Sequence, residues 1–347
     1  MPTPRERYLT ALRGGTPDLT PFAVYENKIP QCAVERDLRN RGMVILHRKN
    51  SFRIVHPNVT QREERFFDEK GRLLSRLYWE TPVGTLVSLN EPAGFTVWHH
   101  ELPFKTPEDY APLLFMLNDA RVVPEYDAAA VFKQKCGEDI IVRDDIDYEP
   151  LQKIIYDYMG SLTFSFEWME NRDDIMELAA AITRLHREIY RVIADGPLLF
   201  SNYGGNVVPQ MIGPKVFREL YLPAYAEAAE VLHRKGKLLG SHMDADNALI
   251  MDALGESALD FIEAYDPGVS PSVAEARKAF AGKTLSIHWP SGDVFMPYEK
   301  LVERTIGMID QAAPGNGFII GITEDVPPDR WQTVYRAIMA GIEARPL

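Results

Sequence analysis

The alternation of short apolar runs with helix-like segments constrains the fold of this chain more than any other feature. From about residue 138 onward, apolar runs of strand length recur, and most are followed by a segment of helical character. Short apolar strands separated by helices predict a parallel sheet that is buried on both faces. The six runs in this half of the chain lie within residues 139–145, 197–205, 237–246, 259–267, 283–290 and 317–325.

Two more strands are predicted before this region, at residues 20–27 (TPFAVYEN) and 52–60 (FRIVHPNVT), with a helix over 30–49 between them. Eight strands of this kind, most of them followed by helices, would close into a barrel. The predicted fold class is therefore α/β, a (β/α)8 TIM barrel. The length of 347 residues fits a single barrel domain that spans residues 1–347.

Residues 61–101 have a different character from the rest of the chain. The segment GRLLSRLYWETPVGTLVSL alternates bulky and polar side chains, with Gly71, Pro82 and Gly84 at turn positions. This pattern predicts a β-hairpin or small meander, inserted near the N-terminal third as a flap. Sequence leaves open whether the flap is a plain surface element or a substrate lid.

Composition excludes several functional classes. The chain carries 50 acidic and 38 basic residues, a net charge of −12, and no clustered basic patch, which argues against nucleic acid as a partner. No apolar run is long enough to span a membrane, and the N-terminus does not resemble a signal peptide. The two cysteines, Cys32 and Cys136, are far apart, so we expect no disulfide framework and a reducing, cytoplasmic setting.

Polar residues follow nearly every predicted strand. In a (β/α)8 barrel the C-terminal ends of the strands carry the chemistry, so these residues are expected to converge on one site. In chain order they are Glu26, His56, Asp144 with Asp145, Asn202 with Tyr203, His242 with Asp244, Glu263, His288, and Glu324 with Asp325.

His242-Met243-Asp244 is the sharpest local motif. On an extended strand, residues i and i+2 point the same way, so the imidazole and the carboxylate would face one point. Nitrogen and oxygen ligands of this kind suit a divalent metal such as zinc. Glu263 and Glu324, at neighbouring strand ends, are candidates for the third and fourth ligands. The same spacing also fits an ordinary His–Asp hydrogen bond, so both interpretations stay open.

Several segments resemble the uroporphyrinogen decarboxylase superfamily. They are RERYLTALRGGTPDLTPF (5–22), ETPVGTL (80–86), YDYMGS (156–161), the long stretch from YGGNVVPQ to LLGSHMDAD (203–246) and GITEDVPPDRW (321–331). The resemblance extends over essentially the whole chain and also implies a (β/α)8 barrel. True decarboxylases carry an arginine-rich N-terminal signature that clamps carboxylates; this chain has FAVYENK there, which argues against a polyanionic tetrapyrrole.

The chain is more similar to the corrinoid-dependent methyltransferase branch, in which an HxC pair and a later cysteine bind zinc. His242 matches the family histidine, while Asp244 and Glu324 stand where the branch has its cysteines. Carboxylates make such a site harder, better suited to polarising an ether oxygen than to holding a thiolate. The resemblance therefore implies the first component of an O-demethylase.

The activity so implied is transfer of a methyl group from a methoxylated small molecule to a cobamide on a separate corrinoid protein. The metal would be Zn²⁺ or another divalent ion, held by His242, Asp244 and Glu324, with Glu263 as a fourth ligand or as a carboxylate that supports the ligands. Tyr203, Asp145 and His288 are candidates for orienting the substrate or transferring a proton. The resemblance also allows a homodimer.

Two other functions remain open at this stage. One is a metal-free lyase that decarboxylates a small carboxylic acid with Asp144 or Asp145. The other is a non-catalytic relative that binds a corrinoid or another ligand, although a pure binder would have no need for His242, Asp244 and Glu324 at matched positions.

Overall fold

Short apolar strands form the centre of the fold. A computed structural model of the chain describes residues 2–93 and 96–347. The strands in chain order are β1 (Phe22–Tyr25), β2 (Val44–Arg48), β3 (Phe52–Val55), β4 (Thr60–Phe67), β5 (Leu73–Thr81), β6 (Gly84–Ala93), β7 (Thr96–Glu101), β8 (Arg121–Pro124), β9 (Ile140–Asp145), β10 (Phe200–Asn202), β11 (Leu238–His242), β12 (Phe261–Tyr265), β13 (Thr284–His288) and β14 (Phe318–Ile322).

Helices separate most of these strands. In chain order they are α1 (Pro4–Leu12), α2 (Ala33–Asn40), α3 (Tyr110–Asp119), α4 (Tyr126–Lys135), α5 (Pro150–Lys153), α6 (Gly160–Glu170), α7 (Arg172–Asp195), α8 (Pro209–Val216), α9 (Leu222–His233), α10 (Met251–Glu256), α11 (Val273–Ala279), α12 (Tyr298–Gln311) and α13 (Trp331–Ala344). Within the described residues, no helix has the length and apolar character that crossing a bilayer demands.

Eight of the described strands pair in parallel and close into a barrel in the order β1-β14-β13-β12-β11-β10-β9-β2. Most of these strands are completely buried, as expected for a parallel sheet covered by helices. The predicted (β/α)8 TIM barrel is confirmed, and seven of its strands come from the predicted apolar runs.

The prediction for the second barrel strand was wrong. The helix expected over 30–49 ends at Asn40, and the chain then forms β2, which pairs with both β1 and β9. Gly42, with a φ of 111°, breaks the helix, and the short apolar run that follows is free to extend. The residues expected as the second strand form β3, which instead pairs antiparallel with β8 outside the barrel.

The chain divides into two compact units. One contains the barrel and comprises Met1–Ser51, Tyr126–Ile146 and Ile193–Leu347; the other comprises Phe52–Glu125 and Asp147–Val192. In the second unit, β4 to β7 form a four-stranded antiparallel sheet over the segment predicted as a flap. Gly94 and Phe95, inside that segment, lie outside the described residues. The single-domain boundary of 1–347 and a lid role for the flap stay predictions.

Aromatic side chains fill the N-terminal half of the barrel interior. Phe200 packs edge-on against Phe261 and also contacts Tyr8 of α1, the helix whose C-terminal carbonyls accept hydrogen bonds from Thr284. Each buried ring contributes about 2 kcal/mol relative to an exposed one. Gly240 leaves room for this packing, because a Cβ there would lie 2.1 Å from the Phe261 ring. Because apolar rings fill this half of the interior, polar chemistry is confined to the C-terminal ends of the barrel strands.

Candidate metal centre

Three metal-capable side chains meet at the C-terminal ends of β11 and β14. His242 is the last residue of β11, Asp244 follows it by two residues, and Glu324 lies two residues beyond β14. The Nε2 atom of His242 is 3.6 Å from Asp244 Oδ2 and 3.6 Å from Glu324 Oε1. One ligand atom from each residue lies within 4.8 Å of the others, so this triad forms a candidate metal site.

The other imidazole nitrogen of His242 faces a buried polar network. Its Nδ1 is 3.3 Å from the Tyr25 hydroxyl oxygen, and that hydroxyl donates a 2.7 Å hydrogen bond to Glu263 Oε2. Arg143 donates to the same Glu263 oxygen at 2.7 Å and to the Tyr25 oxygen at 3.1 Å, and Asn202 also donates to Glu263. Glu263 therefore lies outside the triad, at the opposite nitrogen of the ring.

Neighbouring charges determine the ionisation of Glu263. Burial alone would raise the pKa of Glu263, but Arg143, followed by His242 and Tyr25, holds that pKa well below its usual range. Glu263 is thus an ionised carboxylate with its own arginine partner. Glu263 contacts His242 on the side of the ring away from Asp244 and Glu324, which fits the predicted role of a supporting carboxylate. Its role as a fourth ligand stays a prediction.

The triad itself has an unusual charge state when no metal is bound. Burial alone would lower the pKa of His242, but Tyr25, Asp244, Glu263 and Glu324 together raise it well above its ordinary value. Burial alone would likewise raise the pKa of Asp244, and the hydrogen bond and charge of His242 lower it. A metal ion would therefore compete with a proton for His242, and its binding would be pH-dependent.

A backbone irregularity on β12 accompanies this arrangement. The pairing register of β12 with β13 shifts between Ile262 and Tyr265, and Ala264 has a φ of 58°, in the left-handed region. A bulge of this kind redirects side chains, and positive φ at a residue other than glycine costs about 1 kcal/mol. Ala264 follows Glu263 directly, so this backbone strain is located at the candidate site.

Neighbouring strand-end carboxylates each have a partner of their own. Glu26 pairs with Arg48 at 3.0 Å, and Asp325 pairs with Lys28 at 3.0 Å. Asp144 accepts hydrogen bonds from both the backbone N–H and the hydroxyl of Ser51. In the described part of the chain, by contrast, neither Asp244 nor Glu324 has an ion pair with lysine or arginine. Those two carboxylates are the ones left to neutralise a divalent cation.

Asp145 lies at the end of β9, beside the buried network. Its side chain is about one-third exposed, with Oδ1 3.3 Å from Arg143 Nη2, and its backbone N–H donates to Asn50. Burial raises the pKa of Asp145, and the Arg143 charge only partly opposes this effect. A carboxyl group with a raised pKa and access to solvent can exchange protons, as its predicted catalytic role requires.

His288 is buried, with both ring nitrogens engaged. The Thr323 backbone N–H donates to Nδ1 at 3.2 Å, so the proton of the neutral ring resides on Nε2 and is donated to Ser291 Oγ at 2.9 Å. Burial lowers the pKa of His288 to about 4. A neutral ring with two internal partners joins β13 to β14 and is poorly suited to proton transfer.

Tyr203 is buried immediately after β10. Its backbone N–H donates to the Gly240 carbonyl at 2.8 Å, and its ring packs edge-on against Tyr225 at a centroid distance of 5.8 Å. These contacts fix the ring within the barrel wall. A role in orienting substrate stays a prediction.

His56 does not belong to the barrel, which corrects the prediction that it ends the second strand. It follows β3, and its Nδ1 lies 3.1 Å from the Met116 carbonyl oxygen. The second barrel strand ends instead in Arg48, whose guanidinium lies 4.3 Å above the Tyr25 ring.

Sequence reasoning missed Arg143 and Tyr25. Both lie on the interior face of the barrel, and strand alternation provides the signal that could have found Arg143. In IIVRDD, Arg143 shares a face with Ile141, a buried core residue, and with Asp145. A cation on an inward-facing position of a buried strand requires an internal anion, which Glu263 provides.

The fold and the site together define a (β/α)8 barrel with a candidate metal centre at the C-terminal ends of its strands. A scan against protein-family profiles and a search of curated proteins both find no match. Among solved structures, a methyltransferase from Methanosarcina mazei is similar over 99% of this chain and 98% of its own, with a TM-score of 0.59 and 11% identity. At this identity the comparison shows a shared fold, which is the fold that the superfamily resemblance implies.

A B12-independent methionine synthase from Shewanella sp. W3-18-1 is also similar, with a TM-score of 0.40 and 10% identity over 90% of this chain and 85% of that one. This second likeness is too distant to bear on function.

Proposed function

We propose that this protein is a metal-dependent methyltransferase that moves a methyl group from a methoxylated small molecule to a cobamide on a separate corrinoid protein. The observation that carries the proposal is the triad of His242, Asp244 and Glu324 at the catalytic end of the barrel. The fold shared with a methyltransferase from Methanosarcina mazei supports it.

The chemistry of the donors fits a divalent ion. One nitrogen and two carboxylate oxygens are ligands that zinc accepts, and they leave a coordination position for substrate. With His242 neutral, the charges of Asp244 and Glu324 sum to −2, which matches a divalent cation. A site rich in oxygen suits a hard substrate atom such as an ether oxygen better than a thiolate. The proposed metal is Zn²⁺ or another divalent ion.

When bound, the metal would supply a Lewis acid that polarises the ether oxygen of the methyl donor. In the proposed reaction the methyl–oxygen bond would break with its electron pair staying on the substrate oxygen, which would take up a proton. The methyl group would pass as a cation to the Co(I) of the cobamide on the partner protein. Asp145 is the proposed donor of that proton, because its pKa is raised and its carboxyl group reaches solvent. Arg143 holds Asp145 in place from inside the barrel.

We also propose a partner protein, a cellular compartment and an oligomeric state for the reaction. The cobamide would arrive on a corrinoid protein, and the enzyme would work in the cytoplasm, alone or as a homodimer. Cys32 and Cys136 are unpaired, which suits a reducing compartment.

A metal-free lyase is the alternative function. Without metal, the raised pKa keeps His242 protonated, with Asp244 and Glu324 each 3.6 Å from its Nε2 atom. Asp144 is one candidate for the catalytic acid of such a lyase, but it already accepts two hydrogen bonds from Ser51. The lyase would therefore depend on Asp145.

The test is methyl transfer to reduced cobalamin, measured from the change in corrinoid absorbance with a panel of methoxylated compounds. We expect transfer by the metal-loaded protein and at least a hundredfold loss in Glu324→Gln. Asp325→Asn is the matched control, since it removes an adjacent carboxylate that pairs with Lys28, and it should retain activity. Decarboxylation that survives chelation, without methyl transfer, would favour the lyase instead.

A further inference from the structure

We propose that Tyr25 is a positioning residue that selects the tautomer of His242 and thereby directs Nε2 to the metal. This inference rests on the proposed metal site. It assigns a role to a residue that the sequence analysis did not single out, and it concerns binding of the metal rather than the methyl donor.

The first step is the hydrogen bonding of the Tyr25 hydroxyl. A tyrosine hydroxyl has one proton to donate, and here it goes to Glu263 Oε2 at 2.7 Å, an oxygen that also accepts hydrogen bonds from Arg143 and Asn202. Toward its other neighbours the Tyr25 oxygen can then only accept. Arg143, which is always a donor, contacts it at 3.1 Å.

The second step follows at His242. Its Nδ1 lies 3.3 Å from an oxygen that is already committed as a donor to Glu263, so Nδ1 must carry a proton for this contact to be a hydrogen bond. A neutral imidazole with its proton on Nδ1 has its lone pair on Nε2. That nitrogen is the one that lies 3.6 Å from both Asp244 and Glu324.

The third step is the rigidity of the network. Tyr25 is 3% exposed and lies on a fully buried strand, while Arg143 and Glu263 are each 2% exposed. Tyr25 is also covered by the Arg48 guanidinium, 4.3 Å from the ring centre. Arg143 compensates the charge of Glu263 through a 2.7 Å ion pair. Hydrogen-bond partners of this kind orient metal-binding histidines, and their removal typically changes metal affinity by about 10–100-fold.

The experiment measures Zn²⁺ affinity by competition with a chromophoric chelator. Tyr25→Phe keeps the ring and the Arg143–Glu263 ion pair but removes the hydroxyl, and we expect the Kd for Zn²⁺ to rise by 10–100-fold. Tyr265→Phe is the matched control, because it removes a buried hydroxyl that donates to the Pro271 carbonyl, and its Kd should equal that of the unmodified protein.

A second readout does not depend on replacing Tyr25. In protein labelled with ¹⁵N-histidine and loaded with Zn²⁺, the ring signals of His242, assigned by their loss in His242→Ala, should show a protonated Nδ1 and a metal-bound Nε2. Metal on Nδ1, or an unchanged Kd in a folded Tyr25→Phe, would overturn the role of Tyr25. An unmodified protein that binds no Zn²⁺ would instead overturn the proposed function on which the inference rests.

Discussion

The ion pair between Arg143 and Glu263 should be the most sensitive electrostatic feature of the barrel. Both residues are 2% exposed, and a single hydrogen bond of 2.7 Å joins their side chains. Replacing Arg143 with methionine keeps much of the volume but leaves Glu263 as a buried anion with no arginine. Breaking a buried pair from one side costs about 3–5 kcal/mol, so Arg143→Met should lower the free energy of unfolding by that amount at neutral pH.

The pH dependence of this loss has a definite sign. In the unmodified protein the pKa of Glu263 is lowered, so the pair stabilises fully above the unfolded-state pKa of about 4.3 and is lost as pH falls through the folded-state pKa. Burial raises the pKa of Glu263, and in Arg143→Met only His242 and Tyr25 remain to lower it. The folded-state pKa of Glu263 therefore rises in this variant. The destabilisation should therefore be smaller at pH 5 than at pH 8.

Urea unfolding of chelator-treated protein, followed by tryptophan fluorescence, measures both effects. Arg143→Met/Glu263→Gln should recover part of the loss, because the buried carboxylate that Arg143 neutralised is gone, while Asp145, 3.3 Å from Arg143 Nη2, still loses its partner. Arg41→Met is the control, since its pair with Glu343 is partly exposed and should contribute at most about 1 kcal/mol. A cost for Arg143→Met below about 1 kcal/mol, or a double variant no more stable than the single one, would refute the reasoning.

Three further predictions concern proton transfer and barrel packing. Asp145→Asn should lower kcat for methyl transfer by about 10²–10⁴-fold while leaving Zn²⁺ affinity unchanged, and an unchanged kcat would exclude Asp145 as the acid. Gly240→Ala should destabilise the barrel by about 1–3 kcal/mol, measured by urea unfolding, because its Cβ would lie 2.1 Å from the Phe261 ring. Ala264→Gly should raise the free energy of unfolding or leave it unchanged in the same assay, since glycine adopts a φ of 58° without strain; a clear loss of stability would contradict the assigned strain.

The apolar runs were sufficient to predict the barrel because parallel strands buried on both faces have a continuous hydrophobic signature. That signature failed at β2, where the apolar part of the strand is only three residues, Val44, Ile45 and Leu46, directly after a helix. Alternation in FRIVH then suggested a barrel strand where the chain forms an antiparallel pair. Local pattern predicts that a segment is extended, whereas the partner it pairs with depends on contacts distant in sequence.

The candidate site, like the fold, was predictable from local sequence only in part. Spacing and resemblance were enough to group His242, Asp244 and Glu324 as a candidate set, because each lies at the end of a predicted strand, and the structure brings the three together. The position of Glu263 outside the triad depends on Arg143, which is 120 residues away in the chain and reaches it across the barrel interior. No local pattern states which carboxylate a buried arginine will neutralise, so the sequence alone did not separate Glu263 from the candidate triad.

Metal stoichiometry tests the central claim most directly. The chain should be loaded with Zn²⁺, dialysed free of excess ion and analysed by mass spectrometry beside His242→Ala, with folding of both confirmed by circular dichroism. The account predicts close to one ion per chain in the unmodified protein and close to none in the variant. An unmodified protein without bound metal, or a variant that retains the ion, would contradict it.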